Sequence, residues 1–231
     1  MMTIRYRLYD RVHVSIYLDT SISMMSQDMD GLSRFSVAQQ ILSQITDALP
    51  SDTLYDLILV GAVPVLIAKD VDAQTFSKQV YHTDPHRLTL HPDFAGSVLG
   101  HIRWYQKSYL HTRSIIVLTD GWQTSGQFFS TDDIQSVIIG IGTSGWVLGT
   151  DLIGRQIVTS LDHQNLNTLT SLTHSILLIV DDVDDITQTV NQITWRLYPY
   201  HTWRWYMIVV FLSFLIGLFV YSSMIIYRRY W

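Results

Sequence analysis

"VHVSIYLDTSISM", Val12 to Met24, decides how the rest of the chain is read. Its first seven residues, Val12 to Leu18, alternate and are rich in β-branched side chains, the pattern of a strand. The strand runs directly into Asp19, Ser21 and Ser23, one acid and two hydroxyls at alternate positions. Alternate residues of an extended loop point the same way, so these three groups are expected to converge on one point. Hard oxygen donors of this kind suit Mg²⁺, Mn²⁺ or Ca²⁺ and suit softer metals poorly. A further acid is expected from a neighbouring strand end. Asp120 in "IIVLTDGW" fits, an acid at the tip of an apolar run with Gly121 behind it to turn the chain.

Working outward, Phe35, Val37, Ala38, Ile41, Leu42, Ile45 and Leu49 recur at helical spacing, and Pro50 closes that helix. "LYDLILVGAVPVLIAKD" holds two apolar runs that meet near Gly61 to Pro64, a tight hairpin whose second run is an edge strand tolerating Pro64. Tyr81 to Pro92 is a polar, histidine-rich loop, and Phe94 to Tyr105 resumes a helical pattern. "SIIVLT" from Ser114, "SVIIGIG" from Ser136 and "SILLIV" from Ser175 are continuous apolar runs typical of strands buried on both faces. The last leads into a helix with Val183, Ile186, Val190, Ile193 and Leu197 on one face and Asp181, Asp182, Asp184 and Asp185 at its start, where negative charge is favoured. Strands alternating with helices predict an α/β fold, a doubly wound and mostly parallel sheet covered on both sides. Such sheets bind ligands at the carboxyl ends of their strands, where Asp19 lies.

These residues carry a resemblance. "VSIYLDTSISM" together with "IIVLTDG" resembles the von Willebrand factor A domain, a Rossmann-like fold, and its metal-ion-dependent adhesion site. "VIIGIGT" followed by "GRQIVTSLDHQNLNTLTSLTHSILLIVDDVDDITQTVNQI" is similar to the end of that domain in bacterial aerotolerance-type membrane proteins, where a last helix runs into a transmembrane anchor. The resemblance covers the chain from about Arg11 to the anchor. It implies a domain over residues 1–200 and an anchor with a short basic and aromatic tail over 201–231. It also implies a divalent ion held by Asp19, Ser21, Ser23 and Asp120. The family usually adds a threonine before a helix in a segment like T-x-x-G-x-A-L. Here Asp93 takes that place in "DFAGSVL", with Thr89 as the substitute. The ion, Mg²⁺ or else Ca²⁺ or Mn²⁺, would keep a coordination position open for an acidic residue of a partner protein. By the same resemblance the partners include related membrane proteins of this type and a MoxR-class AAA+ ATPase acting in assembly or maturation of a complex.

The 231 residues are enough for one domain with its own core plus an appendage. There is no cysteine, hence no disulfide framework or thiolate metal site. A net charge of −5 without any Lys/Arg block excludes the footprint of a nucleic-acid binder. Tyr206 to Tyr227 is uncharged, and its roughly 22 residues span about 33 Å as a helix, close to the hydrocarbon thickness of a bilayer. Trp203, Arg204 and Trp205 precede it and Arg228, Arg229, Tyr230 and Trp231 follow, anchors for both interfaces of a single transmembrane helix. With the resemblance to bacterial membrane proteins, the expected location is the bacterial inner membrane. Arg196 and Arg204 balance Arg228 and Arg229, so the charge rule does not orient the span. With no secretory signal visible at the N-terminus, the soluble part is expected to be cytoplasmic rather than periplasmic.

Four other signals are weaker. "GIGTSG", Gly140 to Gly145, satisfies the dinucleotide spacing, but "WVLGTDLIGRQIV" behind it lacks the helical period that such a site needs. No G-x-S-x-G elbow supports Ser21 or Ser23 as a nucleophile, and no enzymatic activity is expected. His82, His86, His91, His101 and His111, with Asp84 or Asp93, form the alternative of a zinc hydrolase, although no helical ligand pair is present. A structural subunit with a degenerate metal site is the other alternative. Trp104, Tyr105, Trp122, Phe128 and Phe129 are candidates for a partner-binding rim.

Overall fold

The computed structural model describes residues 12–61, 64–84, 114–121, 136–150, 156–197 and 207–217. In chain order the elements are β1 (His13–Asp19), α1 (Arg34–Ala48), β2 (Leu54–Val60), β3 (Pro64–Val71), α2 (Ala73–Tyr81), β4 (Ser114–Thr119), β5 (Ser136–Ile141), β6 (Trp146–Thr150), β7 (Gln156–Thr159), α3 (His163–Thr173), β8 (Ile176–Val180) and α4 (Ile186–Leu197). Six strands form one sheet in the order β3-β2-β1-β4-β5-β8. Every pairing is parallel except β2 with β3, the hairpin expected around Gly61 to Pro64, in which Pro64 opens the edge strand opposite Val60. An edge strand tolerates proline because its outer N–H groups have no ladder partner to lose.

The apolar runs become strands because parallel strands covered on both faces need no polar alternation. While the edge strand β3 is largely exposed, both faces of the central strands β2, β1, β4 and β5 are covered. On one, Tyr17, Ile58, Val60, Ile115, Val117 and Ile138 pack with Leu161, Leu166 and Leu169 from α3 and its approach. On the other, Tyr55 of β2 stacks on Phe76 of α2, ring centroids 4.9 Å apart, and α2 in turn packs on α1. The core face of α1 is the expected one, with Phe35, Val37, Ala38, Ile41, Leu42 and Ile45 all buried. α2 escaped the sequence reading because only Phe76 and Val80 mark its buried face. Asp72 caps it, accepting from the Thr75 N–H at 2.8 Å. β6 and β7 form a separate antiparallel pair in the glycine-containing stretch read as lacking a period.

Of the acids after β8, Asp182 caps a 3-10 turn, Val183–Asp185, that leads into α4, whose own first turn holds no acid. Asp182 accepts from the Asp184 N–H at 2.9 Å, and α4 buries Ile186, Val190, Ile193 and Leu197. The chain divides into two compact units, Met1–Thr194 and Trp195–Trp231. In the second, residues 207–217 are helical and exposed. Among the described residues no helix is long and apolar enough to cross a membrane. Of the apolar stretch 206–227, only 207–217 are described.

Candidate metal centre

The parallel register aligns Leu18 with Leu118, so β1 and β4 deliver Asp19 and Thr119 side by side, with Asp120 next in the chain. All three are fully buried. The Asp19 carboxylate accepts from the Ser21 N–H through Oδ1 at 2.7 Å and from the Thr119 hydroxyl through Oδ2 at 2.6 Å. Ser21 then opens a 3-10 turn, Ile22–Met25, in which the Met24 N–H bonds back to the Ser21 carbonyl at 3.1 Å. That turn brings the Ser21 and Ser23 hydroxyls to 3.0 Å from each other. The sequence reading expected convergence by alternation along an extended loop. The groups converge instead because the chain coils immediately after Ser21, which also leaves Ile22 60% exposed above them.

Asp120 is fixed by its neighbours. The Gly121 N–H bonds the Thr119 hydroxyl at 3.0 Å, and the Asp162 N–H bonds the Asp120 carbonyl at 2.9 Å. Gly121 has φ +74°, and a Cβ there would lie 2.6 Å from Leu166 Cγ and 2.9 Å from the Asp162 carbonyl oxygen. Only glycine allows both the turn and the approach of α3.

The site has an excess of negative charge. Burial, and then the Asp120 charge, raise the Asp19 carboxyl to about 7, against hydrogen bonds from Thr119 and Ser21 that favour its ionised form. Part of the charge is met by Arg34, the first residue of α1, whose side chain is fully buried. Its Nη1 donates to Asp120 Oδ2 at 2.8 Å and to Thr159 Oγ1 at 3.3 Å. Its Nε and Nη2 grip Asp28, the shortest contact being 2.6 Å to Oδ2. Asp28 accepts further bonds from the Thr143 N–H at 2.9 Å and the Thr143 hydroxyl at 3.0 Å. Burial alone would raise the Asp28 carboxyl, but the Arg34 and Thr143 hydrogen bonds outweigh it and hold it below the ordinary range. "GIGTSG" is thus explained. The Thr143 amide is committed to Asp28, and Gly142 makes room for the guanidinium, since a Cβ there would lie 2.4 Å from Arg34 Nε. Gly142→Ala is therefore expected to displace Arg34 and, at φ +133°, to strain the backbone as well. A loss of about 2 kcal/mol or more in chemical denaturation would register it.

The donor set fits a hard divalent cation. The Asp19 carboxylate has about four lone-pair sites, and two protein donors occupy it, leaving acceptor capacity beside the two hydroxyls. No sulfur or imidazole belongs to the set, which matches Mg²⁺, Mn²⁺ or Ca²⁺ better than softer ions. The raised Asp19 carboxyl makes a test. Its proton is held more tightly in the folded than in the unfolded chain. Without metal, stability should therefore fall as pH rises from about 4 to about 7 and level off above, by up to about 4 kcal/mol. Millimolar Mg²⁺ should flatten that slope, and unfolding curves at several pH values would show it.

Asp19, Ser21 and Ser23 lie together, and Asp120 is near enough for its charge to act on Asp19 while its carboxylate is bonded to Arg34. Asp93 and Thr89, the fifth position, lie outside the described residues, as do His86, His91, His101, His111 and the five rim aromatics. His82 is described and ends α2. Arg34, Asp28 and Thr119 were missed by sequence reasoning. The hydroxyl before Asp120 in "VLTDG" was the available signal for Thr119, which the register of β1 and β4 sets level with Asp19 on the same face.

Comparison with solved structures places the fold in a class. BatB from Bacteroides thetaiotaomicron superposes with a TM-score of 0.69 at 22% identity, covering 80% of this chain and 98% of that one. An aerotolerance-related membrane protein from Bacteroides fragilis, crystallised with multiple mutations to serines, gives a TM-score of 0.69 at 22% identity, over 79% and 98%. A von Willebrand factor type A protein from Catenulispora acidiphila gives 0.54 at 14% identity, over 80% and 42%. No protein-family model and no curated protein matches the sequence. The chain has the von Willebrand factor A fold. Its likeness in fold is to an aerotolerance-related protein over nearly the whole of that protein's solved length.

Proposed function

We propose that this chain is a membrane-anchored interaction module that binds a partner protein through a divalent cation. The observation that carries the reading is the gathering of the Asp19 carboxylate with the Ser21 and Ser23 hydroxyls at the end of β1, with the Asp120 charge acting on it from the end of neighbouring β4. Asp19, Ser21 and Ser23 would hold the ion, and Asp120 would complete the negative charge around it. Asp93 or Thr89 would add the fifth group. When bound, the ion supplies a positive centre with a position for a carboxylate of the partner. Mg²⁺ is the favoured ion, with Ca²⁺ or Mn²⁺ as substitutes. The role is binding rather than catalysis.

The membrane attachment rests on the apolar stretch 206–227 and on the fold likeness to a protein described as a membrane protein. We place the adhesion domain on the cytoplasmic side of a bacterial inner membrane. Its partners on this reading are related membrane proteins of the same fold and a MoxR-class AAA+ ATPase, working in assembly or maturation of a membrane complex. Co-purification from native membranes with Mg²⁺ and with EDTA tests the core of the proposal. The partner should remain bound with Mg²⁺ and be lost with EDTA.

The Arg34 contact favours a second reading. A guanidinium 2.8 Å from Asp120 already neutralises part of the site, as a degenerate adhesion site in a structural subunit would need. In that case partners would be held equally well in EDTA.

A further inference from the structure

A second cluster of ligand-type side chains lies at the other end of β1. His13 opens that strand, and Asp19 closes it six residues on, roughly 20 Å away at about 3.3 Å per residue. His13 and Ser15 share the face of β1 on which Asp56 of β2 lies, since Ser15 and Asp56 are register partners. A bulge contributes the third group. β3 opposes Leu57 with Ala68 and Tyr55 with Val71, so extra residues of β3 stand opposite Asp56. Asp70, at φ +52°, is one of them. Such bulges re-aim a side chain.

The atoms converge closely. His13 Nε2 lies 3.0 Å from Asp56 Oδ2 and 3.2 Å from Asp70 Oδ1. One ligand atom from each residue fits within 4.8 Å of the others. His13 is 7% exposed, and its Nε2 lies within ion-pair distance of both oxygens, holding the Asp56 carboxyl, against the burial that raises it, down to about 2. A buried ring nitrogen aimed between two carboxylates is placed to take a metal ion in place of its proton. Bonds of about 2.0–2.2 Å meeting at tetrahedral angles separate neighbouring ligand atoms by about 3.3–3.5 Å, close to the spacing seen. The carboxylate of Asp56, fully buried, is also oriented. Ser15 donates to Oδ2 at 2.8 Å and the Asp70 N–H to Oδ1 at 2.8 Å. Metal-ligating carboxylates are typically held by such outer hydrogen bonds. Asp70 is 45% exposed, which gives the ion a route in and leaves a coordination position facing water.

We propose that His13, Asp56 and Asp70 form a second divalent-metal site, of the zinc type, with three protein ligands and one open position. A mixed nitrogen and oxygen set suits Zn²⁺ and contrasts with the all-oxygen set around Asp19. The bound ion would tie the edge strand β3 to β2 and β1.

The test uses the full chain in detergent, stripped with chelator and carrying Asp19→Ala, so that the first centre cannot contribute. Titrated with Zn²⁺, this chain should bind one ion that is lost on adding either His13→Gln or Asp70→Asn. Adding Ser15→Ala should weaken binding by about 10-fold or more. Co²⁺ in place of zinc should give the intense visible absorption of a tetrahedral site, abolished by Asp70→Asn. Asp70 is half exposed, so that variant should fold even if His13→Gln does not. Zinc uptake unchanged by Asp70→Asn, or no uptake at all, would overturn the proposal. Neither result bears on the Asp19 centre.

Discussion

Arg34→Ala should lower the stability of the chain by about 3–5 kcal/mol, read from chemical denaturation followed by circular dichroism. The guanidinium is fully buried and bridges two carboxylates whose side chains are also out of contact with water. Bringing such a triad together gains little net energy, because desolvation of the charges offsets most of their attraction. Removing its centre is different, since Asp28 and Asp120 would then repel across a dry gap. Arg34→Lys should recover only part of the loss. A single ammonium cannot reproduce the paired contacts to Asp28 at 2.9 and 2.6 Å together with the 2.8 Å contact to Asp120. A loss below about 1 kcal/mol for the alanine variant would mean that the network contributes little to the fold.

Asp19→Asn should have opposite effects in the two metal conditions. Without metal at pH 8 the variant should be more stable than the parent, because an ionised carboxylate next to Asp120 is replaced by a neutral amide of the same shape. With Mg²⁺ at about 100 times its dissociation constant, the parent should gain about 2.7 kcal/mol and the variant almost nothing. Asp19→Ala should likewise lose capture of the partner while the chain remains folded. A residue that destabilises the empty fold and stabilises the loaded one is what a binding site requires, at some expense to the scaffold. Thermal melts of the two proteins with and without Mg²⁺ check both signs at once.

What could be read from the residues followed from how local each signal was. β4 and β5 announce themselves because a strand buried on both faces is a continuous apolar run, whatever lies beside it, and β1 through its alternation. α1 shows through the spacing of seven residues, and the hairpin through Gly61 and Pro64. Asp19, Ser21 and Ser23 sit close together in the chain, and Asp120 follows a strand of its own, so their grouping needed only the parallel topology. Arg34 was invisible for the opposite reason. An arginine at a helix start reads as solvated, and its partner Asp120 is 86 residues away. Asp56 is hidden within "LYDLILV", an otherwise apolar strand, and its meaning depends on His13, Ser15 and Asp70 from two neighbouring strands. α2 has only Phe76 and Val80 to mark its buried face, and β6 and β7, at five and four residues, are too short to set a period.

The central claim is that oxygen donors at the tips of β1 and β4 hold a divalent cation. Calorimetric titration of Mg²⁺ into the metal-free full chain in detergent tests it most directly, with Asp19→Ala and Asp120→Ala run alongside. The account predicts one Mg²⁺ bound per parent chain and no heat of binding in either variant. Equal binding in all three proteins, or none in the parent at millimolar Mg²⁺, would contradict it.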